Sequence, residues 1–260
     1  MKLLLFYIAF LSFLLLSCKD DNLIDINYPT TIHKLSHEEF MNQLNAYYER
    51  NQYISSDLDQ FGFCGGDGSR NITFPVEPNE LSEDEIISVI KEFVSNNKSN
   101  TGVDNPNHID FINIQKENSK NWNASTQNQI IGTIEVLNTK LVFHGINKNM
   151  WLCIGNWYPE IYIPNDFQID SLKAKNSLIG KEVVHNTWTG SYSEQISSSD
   201  IEAGFTRLVV YPIITDETIK LHVAWEIHVL DPVFYKIFAD IIYYKIYVDV
   251  MTGDIVGIAN

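Results

Sequence analysis

The sequence predicts an α+β fold, with antiparallel sheets and covering helices. Three observations carry this. Two capping boxes, Ser36 with Glu39 and Ser82 with Glu85, each open a stretch of apolar residues at helical spacing. From His108 onward the apolar period falls to two, the period of strands. Helices and strands then come in segregated runs rather than as alternating βαβ units.

The elements follow in order. Phe40, Leu44 and Tyr47 or Tyr48 recur at helical spacing and predict a first helix over 36–50. Ile86, Ile87, Ile90, Phe93 and Val94 mark the buried face of a second over 83–95. Asn96 to Asn107, rich in Asn, Ser, Gly and Pro, ends that helix as a loop. Strands are then expected at Ile109–Ile114, Ile130–Phe143, Trp151–Ile154 and Ile161–Ile163. Asp170 or Ser171 caps a short helix through Leu178 that Gly180 terminates. A second run of strands covers Glu182–His185, Arg207–Tyr211, Ile219–Val229, Ile241–Val250 and Ile255–Ile258. In the clearest of these, Leu221, Val223, Trp225, Ile227 and Val229 alternate with Lys220, His222, Ala224, Glu226 and His228, predicting one core face and one polar face. Thr252-Gly253 supplies the last hairpin turn.

The 260 residues are 45% hydrophobic and 12% aromatic, enough to bury a core, which excludes disorder. A formal net charge of −15 repels phosphate backbones and argues against nucleic acid as a partner. It also disfavours charge-driven adhesion to anionic lipid, so membrane attachment requires a specific anchor.

The N-terminus offers one. Lys2 precedes an apolar run from Leu3 to Leu16 that only Ser12 interrupts, too short for the roughly 20 residues that span a bilayer. Leu15-Leu16-Ser17-Cys18 resembles the lipobox of bacterial lipoprotein signal peptides. That resemblance implies that residues 1–17 are removed and that Cys18 becomes an acylated anchor in the lipid bilayer. Residues 18–34 then read as an acidic tether. Lys19, Asp20 and Asp21 solvate its start, and they also resemble the signal that sends some lipoproteins to the cell surface. The expected location is the outer membrane, lipid-anchored, at the surface or on the periplasmic leaflet.

Motifs for chemistry are sparse. His37-Glu38-Glu39 begins like a zinc-protease helix, but Met41 stands where the second histidine is required. His222 and Glu226 lie about 13 Å apart along a strand, too far to share an ion; Glu226 and His228, about 7 Å apart, lack a third ligand. No nucleophile motif and no cofactor signature is present, and the glycines after Cys64 lack the Lys-Ser/Thr of a phosphate loop. Cys64 and Cys153 either pair or stay buried. The aromatics around Trp157 and Tyr158 serve the core or form a recognition face. Trp157, Tyr158, His222, Glu226 and His228 are the candidate partner-binding residues.

One resemblance is more specific. Leu221-His222-Val223-Ala224-Trp225-Glu226-Ile227, with Tyr247-Val248-Asp249-Val250-Met251-Thr252-Gly253-Asp254-Ile255-Val256, resembles the PepSY domain, which ends in an Ala-Trp-Glu strand and a Thr-Gly hairpin. Leu208 to Pro212 is similar to its preceding strand, and Asp170 to Leu178 to its short helix. Gly132 to Gly145 and Trp151 to Ile163 resemble the neighbouring fungalysin and thermolysin propeptide module. Met251 replaces the usual small residue, and Pro232 and Phe234 sit in a longer excursion. The resemblance implies two halves, a propeptide-like region over 35–165 and a PepSY-like domain over 166–260. A thermolysin-type precursor would continue past Asn260 into its metalloprotease. The implied function is therefore non-enzymatic: a detached propeptide-like module that binds an exported metalloprotease and restrains or chaperones it. A surface lipoprotein that binds a glycan or peptide, with no protease partner, is the alternative.

Mass spectrometry of the mature N-terminus should find acylated Cys18, and Cys18→Ala should release the protein from the membrane. An unmodified N-terminus at another residue would count against the anchor.

Overall fold

The computed structural model describes residues 27–66, 70, 72–75, 80–117, 120–187, 190–202, 205–230 and 243–259. Its architecture is α+β, with a few helices and antiparallel sheets, except that β7 (Ile134–Val136) and β12 (Thr206–Ile214) of the main sheet pair in parallel. The apolar run before Cys18 lies outside these residues; among those described, no helix is long and apolar enough to cross a membrane.

The main sheet is built on one strand. In chain order the strands are β1 (Thr30–His33), β2 (Asp57–Leu58), β3 (Cys64–Gly66), β4 (Phe111–Lys116), β5 (Asn121–Thr126), β6 (Ile130–Ile131), β7 (Ile134–Val136), β8 (Val142–Ile146), β9 (Asn149–Ile154), β10 (Glu182–Thr187), β11 (Gly190–Gln195), β12 (Thr206–Ile214), β13 (Thr218–Leu230), β14 (Tyr243–Asp249) and β15 (Ile255–Ala259). The main sheet runs β15-β14-β13-β12-β7-β6. One edge of the 13-residue β13 pairs with β12. Its other edge is divided: β1 takes Thr218 to Leu221, and β14 takes Ala224 to Leu230. Strands β1, β6 and β7 thus join this sheet from before residue 165.

A second sheet, β4-β5-β8-β9, carries helices α1 (His37–Arg50) and α2 (Glu83–Asn96). Both begin at the expected capping boxes, whose reciprocal bonds satisfy backbone donors of the first turn. Tyr47 from α1 and Ile86, Ile90, Phe93 and Val94 from α2 pack on Trp122, Ala124, Phe143 and Cys153 of that sheet. Gly145 is required there, since a Cβ would stand 2.0 Å from the Trp122 ring. A second cluster, with Phe61, Phe63 and Tyr158 against Val210, Leu221 and Val223, packs on the main sheet. Helix α4 (Ser171–Leu178), capped by Asp170, lays Ala174 and Leu178 on Ile227, Ile246 and Val248.

Several expectations are corrected. The stretch expected as one strand over 130–143 is broken by left-handed Gly132 and Asn138 into the β6–β7 hairpin and β8. Residues 161–163 form no strand and make no ladder. Pro159 and Pro164 remove donors there, and the Tyr162 N–H goes to Thr30 Oγ1 at 2.8 Å. The 96–107 loop contains a short helix, α3 (Lys98–Thr101), ended by left-handed Gly102. Strands β1, β2, β5 and β11 have no expected counterpart, and β1 pairs into the main sheet from within the 18–34 stretch expected as a tether. Of the Cys64 to Gly68 run, Cys64–Gly66 is a strand, and Asp67 and Gly68 lie outside the described residues.

The expected polar face of β13 is covered at its middle, where Ala224 and Glu226 are as buried as the core positions, while Lys220 stays exposed and His222 and His228 are half-buried. Trp225 lies on the expected face but is only half-buried. Its ring bridges two apolar clusters, and its indole N–H donates to the Ile169 carbonyl at 2.9 Å. Trp225→Ala should cost about 3 kcal/mol, at the low end for a buried Trp, while Trp225→Phe should recover most of the packing. Chemical denaturation of the two variants measures both.

Candidate functional site

The covered face of β13 holds the charged residues of interest, and strand register brings them together. Arg207 of β12 stands opposite Glu226, Val209 opposite Ala224, and Tyr211 opposite His222. On the other side Tyr247 of β14 stands opposite Glu226, and Asp249 opposite Ala224. Beyond β12, Glu135 of β7 pairs with Val209.

Two carboxylates are buried in this face, Glu226 at 1% exposure and Asp249 at 0%. Glu226 Oε2 accepts from Arg207 at 3.0 Å, and Oε1 lies 2.6 Å from His228 Nε2. The same guanidinium reaches Glu135, so one ionic row crosses β7, β12 and β13. Burial pushes the Glu226 carboxyl up, but the Arg207 and His228 hydrogen bonds and the cationic charge outweigh it and hold it below the usual carboxylate range. The Glu226 bond, with the adjacent Glu135, raises Arg207 in turn.

Asp249 forms the second centre. Its Oδ2 accepts from the Tyr28 hydroxyl at 2.6 Å and lies 2.7 Å from His222 Nδ1. Its Oδ1 accepts the backbone N–H groups of Met251 and Thr252 at 2.8 and 2.9 Å, closing the last hairpin. Burial again acts upward, and these four bonds again prevail, leaving the carboxyl below its ordinary range. The Tyr28 phenol is driven far up by burial and by Asp249. The Tyr28 oxygen also accepts the Val223 N–H at 3.1 Å, where the edge of β13 passes from β1 to β14.

Beside these centres, Tyr211 and Tyr247 stack at 4.2 Å with planes 24° apart. Gly257 of β15 makes room for the pair, because a Cβ would lie 2.4 Å from the Tyr211 ring. Burial, with Glu226 and Tyr211 nearby, pushes Tyr247 up to about 12. The outward parts of the face are the Arg207 guanidinium and the edges of His222 and His228, whose side chains are 36, 15 and 22% exposed.

The candidate residues therefore separate. His222 and Glu226 belong to different centres, and Glu226 and His228 share a hydrogen bond rather than an open ion site. Among the described residues no group of three or more His, Cys, Asp or Glu converges as a metal site. Trp157 and Tyr158 are buried in the core at 8 and 3% exposure, which corrects their reading as a recognition face; Tyr158 packs edge-on to Phe63. Cys18, Lys19, Asp20 and Asp21 lie outside the described residues. Sequence reasoning missed Tyr28, Glu135, Arg207 and Asp249. Arg207 was within reach, since a tight turn at Thr215–Thr218 sets it opposite Glu226. Tyr28 and Glu135 carry no local signal.

A scan against protein-family models and a search of curated proteins give no match. Among solved structures, the Bacillus megaterium YpeB C-terminal domain is similar over 87% of this chain and 97% of that one, at 10% identity and a TM-score of 0.33.

Both acids are charged and satisfied at neutral pH, and their folded pKa values lie below the unfolded ones. Their contribution is present above the ordinary carboxylate range and is lost as pH falls from about 4 through the depressed values. Denaturation midpoints measured from neutral to acid pH should drop over that window. Asp249→Asn should lower stability at neutral pH and flatten the acid fall.

Proposed function

We propose that this chain is a non-catalytic, lipid-anchored recognition module that binds an exported peptidase at the outer membrane and restrains or chaperones it. The observation that carries this reading is the occupancy of the two buried acids. A general base needs a lone pair directed at substrate, whereas every oxygen of Glu226 and Asp249 already accepts an internal bond. What the face offers outward is a guanidinium, two imidazole edges and the half-buried Tyr211 ring on a fixed sheet. Arginine and tyrosine are among the side chains that dominate binding energy at protein interfaces.

The resemblance stated from sequence supports the same reading, because the residues that carry it build this face. The Ala-Trp-Glu strand is β13, and the Thr-Gly hairpin is β14–β15, closed by Asp249. A binding module works by complementarity of a rigid surface and needs no activated side chain. The lipid anchor expected at Cys18 would confine module and peptidase to one surface and so raise their effective concentration.

The test titrates the purified domain into exported zinc peptidases of the same cell surface while peptide cleavage is followed. Binding with altered peptidase activity is expected, and Arg207→Ala with Tyr211→Ala should weaken it at least tenfold. Absence of binding, or peptide cleavage by the domain itself, would overturn the proposal.

A further inference from the structure

The core beneath α1 holds a pair of thiols that the recognition face does not use. Cys64 in β3 and Cys153 in β9 are both buried, at 2 and 0% exposure. Their strands are tied together by the Gly155 N–H, which donates to the Cys64 carbonyl at 3.1 Å. The Cys153 N–H donates to Ser56 Oγ at 3.3 Å, and the Ser55 N–H to the Trp151 carbonyl at 2.8 Å. The Tyr47 hydroxyl of α1 lies 3.6 Å from Cys64 Sγ, and Cys64 and Cys153 belong to the one buried cluster that also holds Tyr47.

This surrounding excludes other uses of the pair. A reactive cysteine needs a lowered pKa and some exposure, but burial, reinforced by Cys64, pushes the Cys153 thiol well up. A metal needs further donors, and none converge among the described residues. Two adjacent thiols in an apolar core have each other as their available covalent partner.

We propose that Cys64 and Cys153 form a disulfide that staples β3 to β9 as the chain matures in an oxidising compartment, an inference that takes its compartment from the export reading above. The step is thiol–disulfide exchange. The two thiols give up two protons and two electrons, one S–S bond forms, and the disulfide of an oxidoreductase or of a small thiol is cleaved to two thiols in return. Exchange precedes the seating of Tyr47, because the folded core seals both sulfurs. Once seated, the same seal excludes reductants. The loop so closed contains α2, β4, β5 and β8, and cross-linking it restricts the unfolded chain.

The test uses the full chain, once recovered from its own envelope fraction and once refolded with oxidised and reduced glutathione, with Cys18→Ser removing the third thiol in the refolded sample. Alkylation under denaturing, non-reducing conditions and peptide mapping should find a Cys64–Cys153 peptide in both. Reduction should lower the melting temperature of this protein by several degrees and leave a C64S/C153S variant unmoved. Complete alkylation of both thiols after glutathione refolding would overturn the pairing. A linked peptide after refolding with alkylated thiols in the envelope sample would uphold the pairing and overturn the export reading instead.

Discussion

Burying two carboxylates in one sheet is the constraint on which the rest of the main sheet depends. A charge taken from water without a partner costs several kcal/mol, so Glu226 and Asp249 tolerate few arrangements of their neighbours. Arg207 meets Glu226 only in the observed β12–β13 register, and a one-residue slip would turn Glu226 into the apolar cluster around Ile227. Asp249 in turn requires Tyr28, His222 and the hairpin N–H groups at once. Apolar packing makes the sheet stable, while these polar groups select one alignment of five strands.

How much of this was legible depends on the range of each signal. The capping boxes of α1 and α2 are contacts over three residues, and both were read correctly. The alternation of β13 is equally local, and its face assignment held for Leu221, Val223, Ile227 and Val229. The opposite face failed because its burial is supplied from elsewhere: a polar residue such as Glu226 reads as solvated unless Arg207 is known to face it. Strand β5 was missed because Asn121, Asn123 and Ser125 are poor strand formers, and only packing of Trp122, Ala124 and Thr126 under the helices makes it a strand. The site was legible as a set of residues, His222, Glu226 and His228, but not as two separate centres, since Tyr28 lies at the other end of the chain from Asp249.

The residues that suggested a family by sequence turn out to serve architecture first. Glu226 anchors an ionic row and Asp249 closes a hairpin, so their spacing speaks of how the sheet is held. Any recognition falls to what they leave exposed, the arginine, the histidine edges and the half-buried Tyr211 ring. At that surface the Arg207 guanidinium stands between two carboxylates, the buried Glu226 and the partly exposed Glu135.

The division of the β13 edge between β1 and β14 also bears on the order of events as the chain folds. Thr30 to His33 find their ladder partners at Leu221 to Thr218, so the first strand has nowhere to dock until most of the polypeptide has emerged. Contacts of such long sequence separation are slow to form, because the intervening loop must be closed before they yield any stabilisation. Thr30 to His33 therefore complete the sheet late in folding, and the edge of β13 along Thr218 to Leu221 waits unpaired until they arrive.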